Sequence, residues 1–484
     1  MVPNARQVIH VASTPSHDRF HGLLAATAIG VYLLLLVGVT TALTDAAAAC
    51  AAWPVCGDGW TTPATPAGWL AIGHRIAAVV VGLLGLAALV AGVRAGIDHR
   101  VLGAMTVAGV LYPVQAGLGA FVAVGGVTPT LSAAHLTVGL AIFAGLVVAL
   151  AWALERATGD PTDRPNEDID LNPPAPANGE PTATAPSTAS SHDTAGVAET
   201  ATAYLRLTKP RLMWLLCLVA AAGMALAATT TGGLTVGVVL ATLGGGVLSI
   251  GASGTFNHVF ERDIDRRMQR TNDRPLATDI VPVRNALAFG VVLATGSLAL
   301  FAWVNLLAAV LGLAAIVFYS VVYTLLLKPN TVQNTVLGGA AGALPALIGW
   351  VAVAGEIGLA GLGLAAVIFL WTPAHFYNLA LAYKDDYERG GFPMMPVVRG
   401  ETETRKQILW YLAATLVAAG ALASMEALGA LYALTSVGFG AAFLYFAVQL
   451  HYEQTERAAF RSFHASNAYL GALLLAVVVD TLVV

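Results

Sequence analysis

Charged side chains are scarce in this chain of 484 residues. Only 11% of its residues are Asp, Glu, Lys or Arg, whereas a soluble domain carries about 25%. Hydrophobic residues make up 57%, in blocks of about 20 that are long enough to cross a bilayer core of about 30 Å as helices. The short alternating segments of a membrane β-barrel are missing. The sequence therefore predicts an all-α integral membrane protein, because a backbone in lipid must satisfy its own hydrogen bonds.

The apolar blocks predict about thirteen membrane-spanning helices. The first block has no small-residue cleavage site close behind it, which indicates a retained helix rather than a signal peptide. With this number of spans, the loops opposite the N-terminus contain no Lys or Arg. The positive-inside rule then places the N-terminus in the cytoplasm and the C-terminus outside the cell membrane. The predicted spans are 20–43, 67–93, 101–124, 131–154, 210–229, 234–256, 282–303, 305–327, 333–353, 358–381, 407–424, 428–449 and 465–484.

Residues 157–203 have little to bury. They are rich in Pro, Ala, Thr and acidic residues, which predicts a disordered cytoplasmic linker. Because helices of one bundle rarely need such a long loop, the sequence predicts a fusion of two units. These are a four-helix domain at 1–156 and a nine-helix domain at 204–484. The net charge of −4 argues against nucleic acid as a partner.

The segment 257–275 in the nine-helix unit combines acids with many arginines. Asn257, Glu261 and Asp265 are four residues apart, so on a continuing helix they share one face. Three oxygen ligands on one face suit Mg²⁺, which often bridges to substrate phosphates. Asp263 points elsewhere, where it either contributes to the site or pairs with an arginine. The arginines that favour phosphate binding are Arg262, Arg266, Arg267, Arg270 and Arg274.

A second acidic cluster, Asp385 and Asp386 followed by Tyr387, lies at the end of the sixth span of this unit. Two carboxylate clusters on one side of the membrane suit a diphosphate held through Mg²⁺, with the apolar tail of the substrate among the helices. His375 precedes Asp386 by eleven residues, which on one straight helix puts both on one face about 16 Å apart. A histidine in a span is a functional candidate, and the alternative is a packed, hydrogen-bonded histidine.

Three motifs follow one another along the nine-helix unit. The first, N-x-x-x-[DE]-R-D-x-D-x-x-M-x-R-T-x-x-R-P, runs from Asn257 to Pro275. The second and third motifs are carried by Tyr323, Thr324, Lys328, Asn334, Gly338, Gly342, Ala343 and Pro345, and by Trp371, His375, Phe376, Asp386, Tyr387, Gly391, Met394, Pro396 and Val397. Within the second motif, Gly338 and Gly342 also fit helix packing alone. The three motifs resemble the ubiquinone-biosynthesis-type family of membrane prenyltransferases, and its protoheme IX farnesyltransferase branch most closely, over residues 200–484, with His258 and Glu261 at places where many members have Asp.

The resemblance implies transfer of a farnesyl group from farnesyl diphosphate to a vinyl group of protoheme IX. It implies that Mg²⁺ binds to Asn257, Glu261, Asp265 and Asp386, with Asp385 as an alternative to Asp386. Lys328 and the arginines then stabilise charge on the leaving diphosphate, and His375 contacts heme or an intermediate. The catalytic residues implied are Asn257, Glu261, Asp263, Asp265, Lys328, His375, Asp385 and Asp386. The substrate-binding residues implied are Arg262, Arg266, Arg270, Arg274, Asn334 and Tyr387. The alternatives are a quinone-type acceptor and a heme-binding or assembly factor without catalysis.

In the four-helix unit, His74 and His135 lie in spans at similar predicted depth. This is the geometry of two axial ligands of one heme, with Arg75 placed to pair with a propionate, and the alternative is packing. Cys50 and Cys56 lie six residues apart in the first outer loop, where a disulfide can form. No further metal ligands lie near them in the sequence.

These features of the four-helix unit resemble one half of the heme A synthase family. The loop reads Cys-x-x-Trp-Pro-x-Cys from Cys50 to Cys56, and a His-Arg pair follows at His74. The family usually has eight helices, so the resemblance implies that two chains assemble as a homodimer through this domain. Ala71 stands where the family often has Glu, so the unit either oxidises heme O toward heme A or binds heme and passes it on. Terminal oxidase assembly factors are then expected partners.

Overall fold

A computed structural model of the chain is helical throughout the regular elements that it describes. It describes residues 15–483 except 44–45, 47, 51, 57–62, 127, 161–162, 164–195 and 426–427. Thirteen helices in this part of the chain are long and apolar enough to cross a membrane, which confirms the predicted fold class and the predicted number of spans. Most of the predicted linker at 157–203 lies outside the described residues.

Seventeen α-helices follow one another along the described part of the chain. In chain order they are α1 (Pro15–Leu43), α2 (Pro66–Arg94), α3 (His99–Gly125), α4 (Pro129–Thr158), α5 (Val197–Leu207), α6 (Pro210–Thr231), α7 (Val236–Phe260), α8 (Arg262–Asp265), α9 (Val283–Val304), α10 (Leu306–Val317), α11 (Asn334–Ala354), α12 (Leu359–Ala382), α13 (Lys384–Arg389), α14 (Met395–Val398), α15 (Glu401–Met425), α16 (Ala430–Glu453) and α17 (Glu456–Val483). A π-helical segment, Phe318–Leu327, continues α10 within the same span.

The first of two compact units combines α1–α4 with residues 405–469. Polar contacts among its buried helices include a hydrogen bond of 2.6 Å between the hydroxyls of Tyr32 and Ser436. Lys406 Nζ donates to Glu155 Oε1 at 2.6 Å. This grouping differs from the predicted domain boundaries, which assign 405–469 to the nine-helix domain. Hydropathy does not report side-chain contacts between distant segments, so the sequence could not predict this grouping. The boundaries at 156 and 204 stay a prediction about the order of modules along the chain.

The second unit combines the described residues between Arg164 and Thr404 with those from Leu470 onward. In it, α6 and α11 pack backbone against backbone. A Cβ added at Gly223 would lie 2.3 Å from the carbonyl oxygen of Ala346, and one at Gly349 would lie 2.1 Å from that of Ala220. Glycine is required at both positions, and such small residues commonly allow close approach of membrane helices.

The end of the predicted linker is helical. Residues 197–203 form the first part of α5, whereas the sequence predicts disorder as far as 203. The reason is burial, because Ala203 and Leu207 pack against Leu276 and Val281 in a hydrophobic cluster. The amphipathic character of these few residues is masked in the sequence by the polar stretch that precedes them.

Candidate active site

Asn257, Glu261 and Asp265 are brought together at the end of α7. The predicted continuous helix is wrong, because α7 ends at Phe260 and the short α8 follows. The backbone nevertheless keeps the spacing: Glu261 N donates to Asn257 O at 2.9 Å, and Asp265 N donates to Glu261 O at 2.8 Å. All three side chains are buried. The three oxygen-bearing groups are therefore collected below the surface.

Each of these groups faces a cation. Lys328 Nζ donates to Glu261 Oε1 at 2.5 Å. Arg274 Nη1 donates to both carboxylate oxygens of Asp265, at 2.9 and 2.8 Å, and lies 3.9 Å from Glu261 Oε2. Lys209 donates to the amide oxygen of Asn257. The cluster thus holds groups for a cation and for an anion side by side, as a metal-bound diphosphate requires.

Two carboxylates of this cluster respond oppositely to their surroundings. Burial acts to raise the pKa of Glu261, but the ammonium groups of Lys328 and Lys209 hold it below its usual value. At Asp265 burial prevails, and its pKa is raised despite the contact with Arg274. Glu261 is therefore the more firmly ionised of the pair.

Lys209 is a site residue that the sequence analysis missed. It lies directly before Pro210 at the start of α6, in a left-handed conformation with φ 55°. A non-glycine residue in this conformation persists only when its surroundings hold it there. The residue as a whole is half-buried, but its ammonium end is enclosed, and this burial lowers its pKa to about 7, with Arg274 adding to the effect. A lysine immediately before a proline at the start of a span is the signal in the sequence.

The π-helical segment aligns the residues that face this cluster. Its hydrogen bonds span five residues, as in Lys328 N to Tyr323 O at 2.8 Å. Tyr319 OH accepts a hydrogen bond from Lys209 Nζ at 3.2 Å, and Thr324 Oγ1 accepts one from Asn257 Nδ2 at 3.1 Å. In an α-helix, residues nine positions apart lie on opposite faces at about 100° per residue. The wider turn instead puts Tyr319, Thr324 and Lys328 on one face.

Asp386 holds the loop after α8. Its two carboxylate oxygens accept the backbone N–H groups of Gln269 and Arg270, both at 3.1 Å, and Arg389 donates to it as well. These contacts hold the pKa of Asp386 below its usual value, although burial acts against them. The arrangement favours a positioning role for Asp386 over the metal-ligand role implied by the resemblance. Asp385 is exposed.

The other predicted arginines and Asp263 divide into two groups. Arg270 faces inward, where its guanidinium donates to Tyr387 OH at 3.2 Å. Arg262 instead pairs at 3.1 Å with Asp263, whose side chain is 71% exposed. Arg266 binds Asp279 at 2.7 Å. These contacts favour the alternative in which Asp263 pairs with an arginine at the surface.

His375 is half-buried and stacks on Trp371, with ring centroids 4.2 Å apart. The prediction that one straight helix carries His375 and Asp386 is wrong, because α12 ends at Ala382 and α13 begins at Lys384. Asn334 is buried and donates to Thr331 O at 2.7 Å, which holds the start of α11. Tyr387 is buried among Met268, Phe392 and other apolar groups.

An apolar cavity opens beside the charged cluster. Lys209 and Tyr319 lie at one end of it, and its remaining wall comes from α6, α7, α9, α10 and α11. Apart from a few hydroxyls and Cys217, the wall is made of aliphatic and aromatic side chains and glycines. A molecule with an anionic head and an apolar tail fits this arrangement, with its head at Lys209 and its tail among the helices.

In the four-helix unit, His74 and His135 are both half-buried. The Nδ1 atoms of both are buried and lack a hydrogen-bond partner within the described residues. His135 Nε2 contacts Gln115 Nε2 at 3.3 Å. A Cβ at Gly38 would lie 3.4 Å from His74, and one at Gly119 would lie 3.1 Å from His135. The glycines thus make room for both rings.

The guanidinium of Arg75 binds backbone carbonyl groups of the cysteine loop. It donates to the carbonyl oxygens of Cys50 at 2.7 Å and Ala52 at 2.8 Å, and also to Val55 at 3.0 Å. Cys50 and Cys56 lie within bonding distance, with Cα atoms 4.5 Å apart. Arg75 therefore ties the cysteine loop to α2, a role that the predicted pairing with a heme propionate did not anticipate.

Comparison with known proteins finds matches in sequence and among solved structures. The sequence model of the UbiA prenyltransferase family matches residues 215–471. A protoheme IX farnesyltransferase from Haloquadratum walsbyi is 66% identical over 99% of this chain and 100% of its own length, and one from Haloarcula marismortui is 64% identical over 96% and 98%. The solved structure of a UbiA homolog from Archaeoglobus fulgidus bound to GPP and Mg²⁺ is 19% identical, with a TM-score of 0.43 over 57% of this chain and 99% of that one.

Proposed function

Because the chain belongs to the UbiA prenyltransferase family, we propose that it is a protoheme IX farnesyltransferase. It transfers a farnesyl group from farnesyl diphosphate to a vinyl group of protoheme IX, giving heme O and diphosphate. Relatives of that name align over nearly the whole chain. The observation that carries the proposal is the charged cluster of Glu261, Lys328 and Lys209 at the mouth of an apolar cavity.

The donor set fits a magnesium ion. Glu261 and Asp265 supply two carboxylates and Asn257 an amide oxygen, all buried, and Mg²⁺ is commonly held by one or two carboxylates together with substrate phosphates. When bound, the ion neutralises charge on the diphosphate as it leaves. Lys328 and Arg274 bind the carboxylates in this structure and, with the ion on those carboxylates, would be available to phosphate oxygens. Lys209 lies between this head and the tail cavity.

The chain's residues orient the reacting carbon. With the tail in the cavity and the diphosphate at Lys209, Lys328 and Arg274, the first carbon of the prenyl chain lies at the mouth near Tyr319. The carbon–oxygen bond breaks, and the electron pair leaves with the diphosphate, where the three cations stabilise it. The vinyl group of heme forms the new carbon–carbon bond, and water adds to the resulting cation and releases a proton. His375 is proposed to contact the heme side of this reaction.

The location follows from the loop charges. The chain is a multi-pass membrane protein. The Lys and Arg distribution supports a cytoplasmic N-terminus, an outer C-terminus and an active site on the cytoplasmic side. Membrane lipid surrounds the exposed apolar faces of the spans.

The four-helix unit is proposed to bind heme between His74 and His135. Their buried Nδ1 atoms without partners support this, since imidazole nitrogens are common axial ligands of heme. Ala71 stands where the heme A synthase family, which this unit resembles, often has Glu. This favours heme binding over oxidation of heme O toward heme A. A homodimer through this unit would supply the missing half of the eight-helix arrangement, and assembly factors of terminal oxidases would receive the product.

Mass spectrometry of hemes tests the catalytic proposal. The chain is expressed in cells that lack heme O and heme A synthesis, beside variants Asp265→Asn and Asp263→Asn. We expect farnesylated heme from the wild type and from Asp263→Asn, whose side chain lies at the surface, and its loss in Asp265→Asn. Unmodified heme from the wild type overturns the proposal. A prenylated quinone precursor in the same extract would favour the alternative acceptor.

A further inference from the structure

An aromatic ring lines the apolar cavity about two and a half helical turns from its Lys209 end. Phe301 on α9 lines the cavity and is 1% exposed. Its ring lies against Gly245 and Gly312, where an added Cβ would come within 2.9 and 2.4 Å of it. We propose that Phe301 determines the longest prenyl chain that the enzyme accepts. This inference rests on the proposed function, because it takes the cavity as the site of the prenyl tail.

The length of the cavity is close to that of a farnesyl chain. Along α7 its wall runs from Gly254, near Lys209, to Thr242. These twelve residue steps span about 18 Å at 1.5 Å per residue. An isoprene unit has four main-chain carbons and extends by about 5 Å, given bonds of about 1.5 Å in staggered conformations. The ring of Phe301 lies beside Gly245, nine residues or about 14 Å from Gly254. Three units need about 15 Å and reach the ring, whereas a fourth unit, at about 20 Å in total, would have to pass it.

The two residues that the ring lies against cannot fill its place once it is removed. Gly245 and Gly312 have no side chains that can move into the space, and interiors relax only partly around such a deletion. Phe301→Ala therefore lengthens the cavity by about the size of the lost ring. This creates room for the fourth isoprene unit in the direction in which the chain already points.

A larger residue at Gly246 would shorten the cavity instead of lengthening it. It lines the same cavity, and a Cβ added there meets nothing within 4 Å. It lies eight residues from Gly254 along α7, or about 12 Å, which is enough for two isoprene units. Gly246→Val should therefore shorten the usable cavity without disturbing the helix, because the new side chain enters empty space.

Competition between donors of different length tests the proposal. The full-length protein in membranes receives protoheme IX and equal amounts of geranyl, farnesyl and geranylgeranyl diphosphate, and the prenylated hemes are quantified by mass spectrometry. We expect farnesyl to dominate in the wild type. In Phe301→Ala the ratio of geranylgeranyl to farnesyl product should rise at least about tenfold, since even one methylene changes discrimination by about that factor. Gly246→Val should raise the ratio of geranyl to farnesyl product.

The control is Leu300→Ala, which removes apolar volume next to Phe301 but outside the cavity wall and should keep the wild-type ratios. If Phe301→Ala still turns over farnesyl diphosphate with an unchanged ratio, the proposal is overturned. Should that variant fail to fold, Gly246→Val decides alone, and an unshifted ratio there has the same meaning. Absence of any prenylated heme from the wild type would instead sink the proposed function itself.

Discussion

The ammonium of Lys328 lies 2.5 Å from Glu261 Oε1, and the two side chains are only 13% and 6% exposed. The contact joins the end of the π-helical segment to the end of α7. Buried ion pairs of this kind are weak evidence for stability, because desolvation offsets much of the attraction. Their constituent charges are nevertheless poised for a ligand that carries both a metal ion and an anion.

Removal of one member of this pair should damage stability and activity together. In Lys328→Met the carboxylate of Glu261 loses its closest cation, and breaking a buried pair costs about 3–5 kcal/mol. The double variant Lys328→Met with Glu261→Gln should recover most of that loss. Both should lower turnover about a hundredfold or more, as expected when charge stabilisation of a leaving group is lost. Thermal unfolding in detergent and heme turnover measure the two effects; full activity in the stable double variant would contradict the assignment.

The π-helical segment should be essential for alignment and dispensable for insertion. Deletion of Val321, which is 40% exposed, allows the segment to return to α-helical hydrogen bonding and rotates Lys328 away from Tyr319. We expect heme turnover to fall about a hundredfold or more, with the protein still present in the membrane. Val321→Ala, which keeps the residue count, serves as the control and should remain active. An active deletion variant would mean that the alignment has no part in the reaction.

Asp386 should act on substrate binding through the loop that it holds. Asp386→Asn loses one of the two acceptors for the backbone of Gln269 and Arg270 and, by loosening Arg270, should raise KM for the prenyl diphosphate about tenfold. The Mg²⁺ concentration needed for half-maximal rate should stay within about twofold. Asp385→Asn, at an exposed position, should behave like the wild type. A large rise in the Mg²⁺ requirement of Asp386→Asn would restore it as a metal ligand.

In the four-helix unit, His74 and its neighbour Arg75 should separate in their effects. His74→Ala should remove a heme absorption band from the purified protein, because an axial ligand is lost. Arg75→Gln should keep that band but loosen the cysteine loop, whose carbonyls the guanidinium binds. Visible spectra report the first effect, and the rate of reduction of the Cys50–Cys56 pair reports the second. Loss of the band in Arg75→Gln alone would point back to a propionate contact.

Hydropathy and charge predicted what depends on local composition. Thirteen spans are readable because each must present enough apolar residues to lipid, and the spacing of Asn257, Glu261 and Asp265 survives the helix break after Phe260 because the backbone bonds continue across it. Contacts between distant segments cannot be predicted from local composition. Asp263 and Asp265 look alike in the sequence, yet one is at the surface and the other is buried with Arg274.

The backbone conformations that position two site residues were also out of reach of the sequence, although its second motif did predict Lys328 itself. Lys209 owes its place to a left-handed turn before Pro210, and Lys328 owes its direction to a π-helix. Neither conformation follows from propensity, since both are held by the packing around them. The break between α12 and α13 at Tyr383 likewise interrupts a stretch that hydropathy presents as one helix end.

The glycine contacts between α6 and α11 bear on how this enzyme can diversify. At Gly223 and Gly349 any side chain meets a neighbouring carbonyl within 2.3 Å, so this wall should tolerate almost no replacement in a saturation screen. Gly246, across the cavity on α7, meets nothing within 4 Å and should accept many residues. New donor preferences would therefore arise along α7 and α9, while the α6–α11 wall stays invariant and keeps the donor in register with the charged cluster.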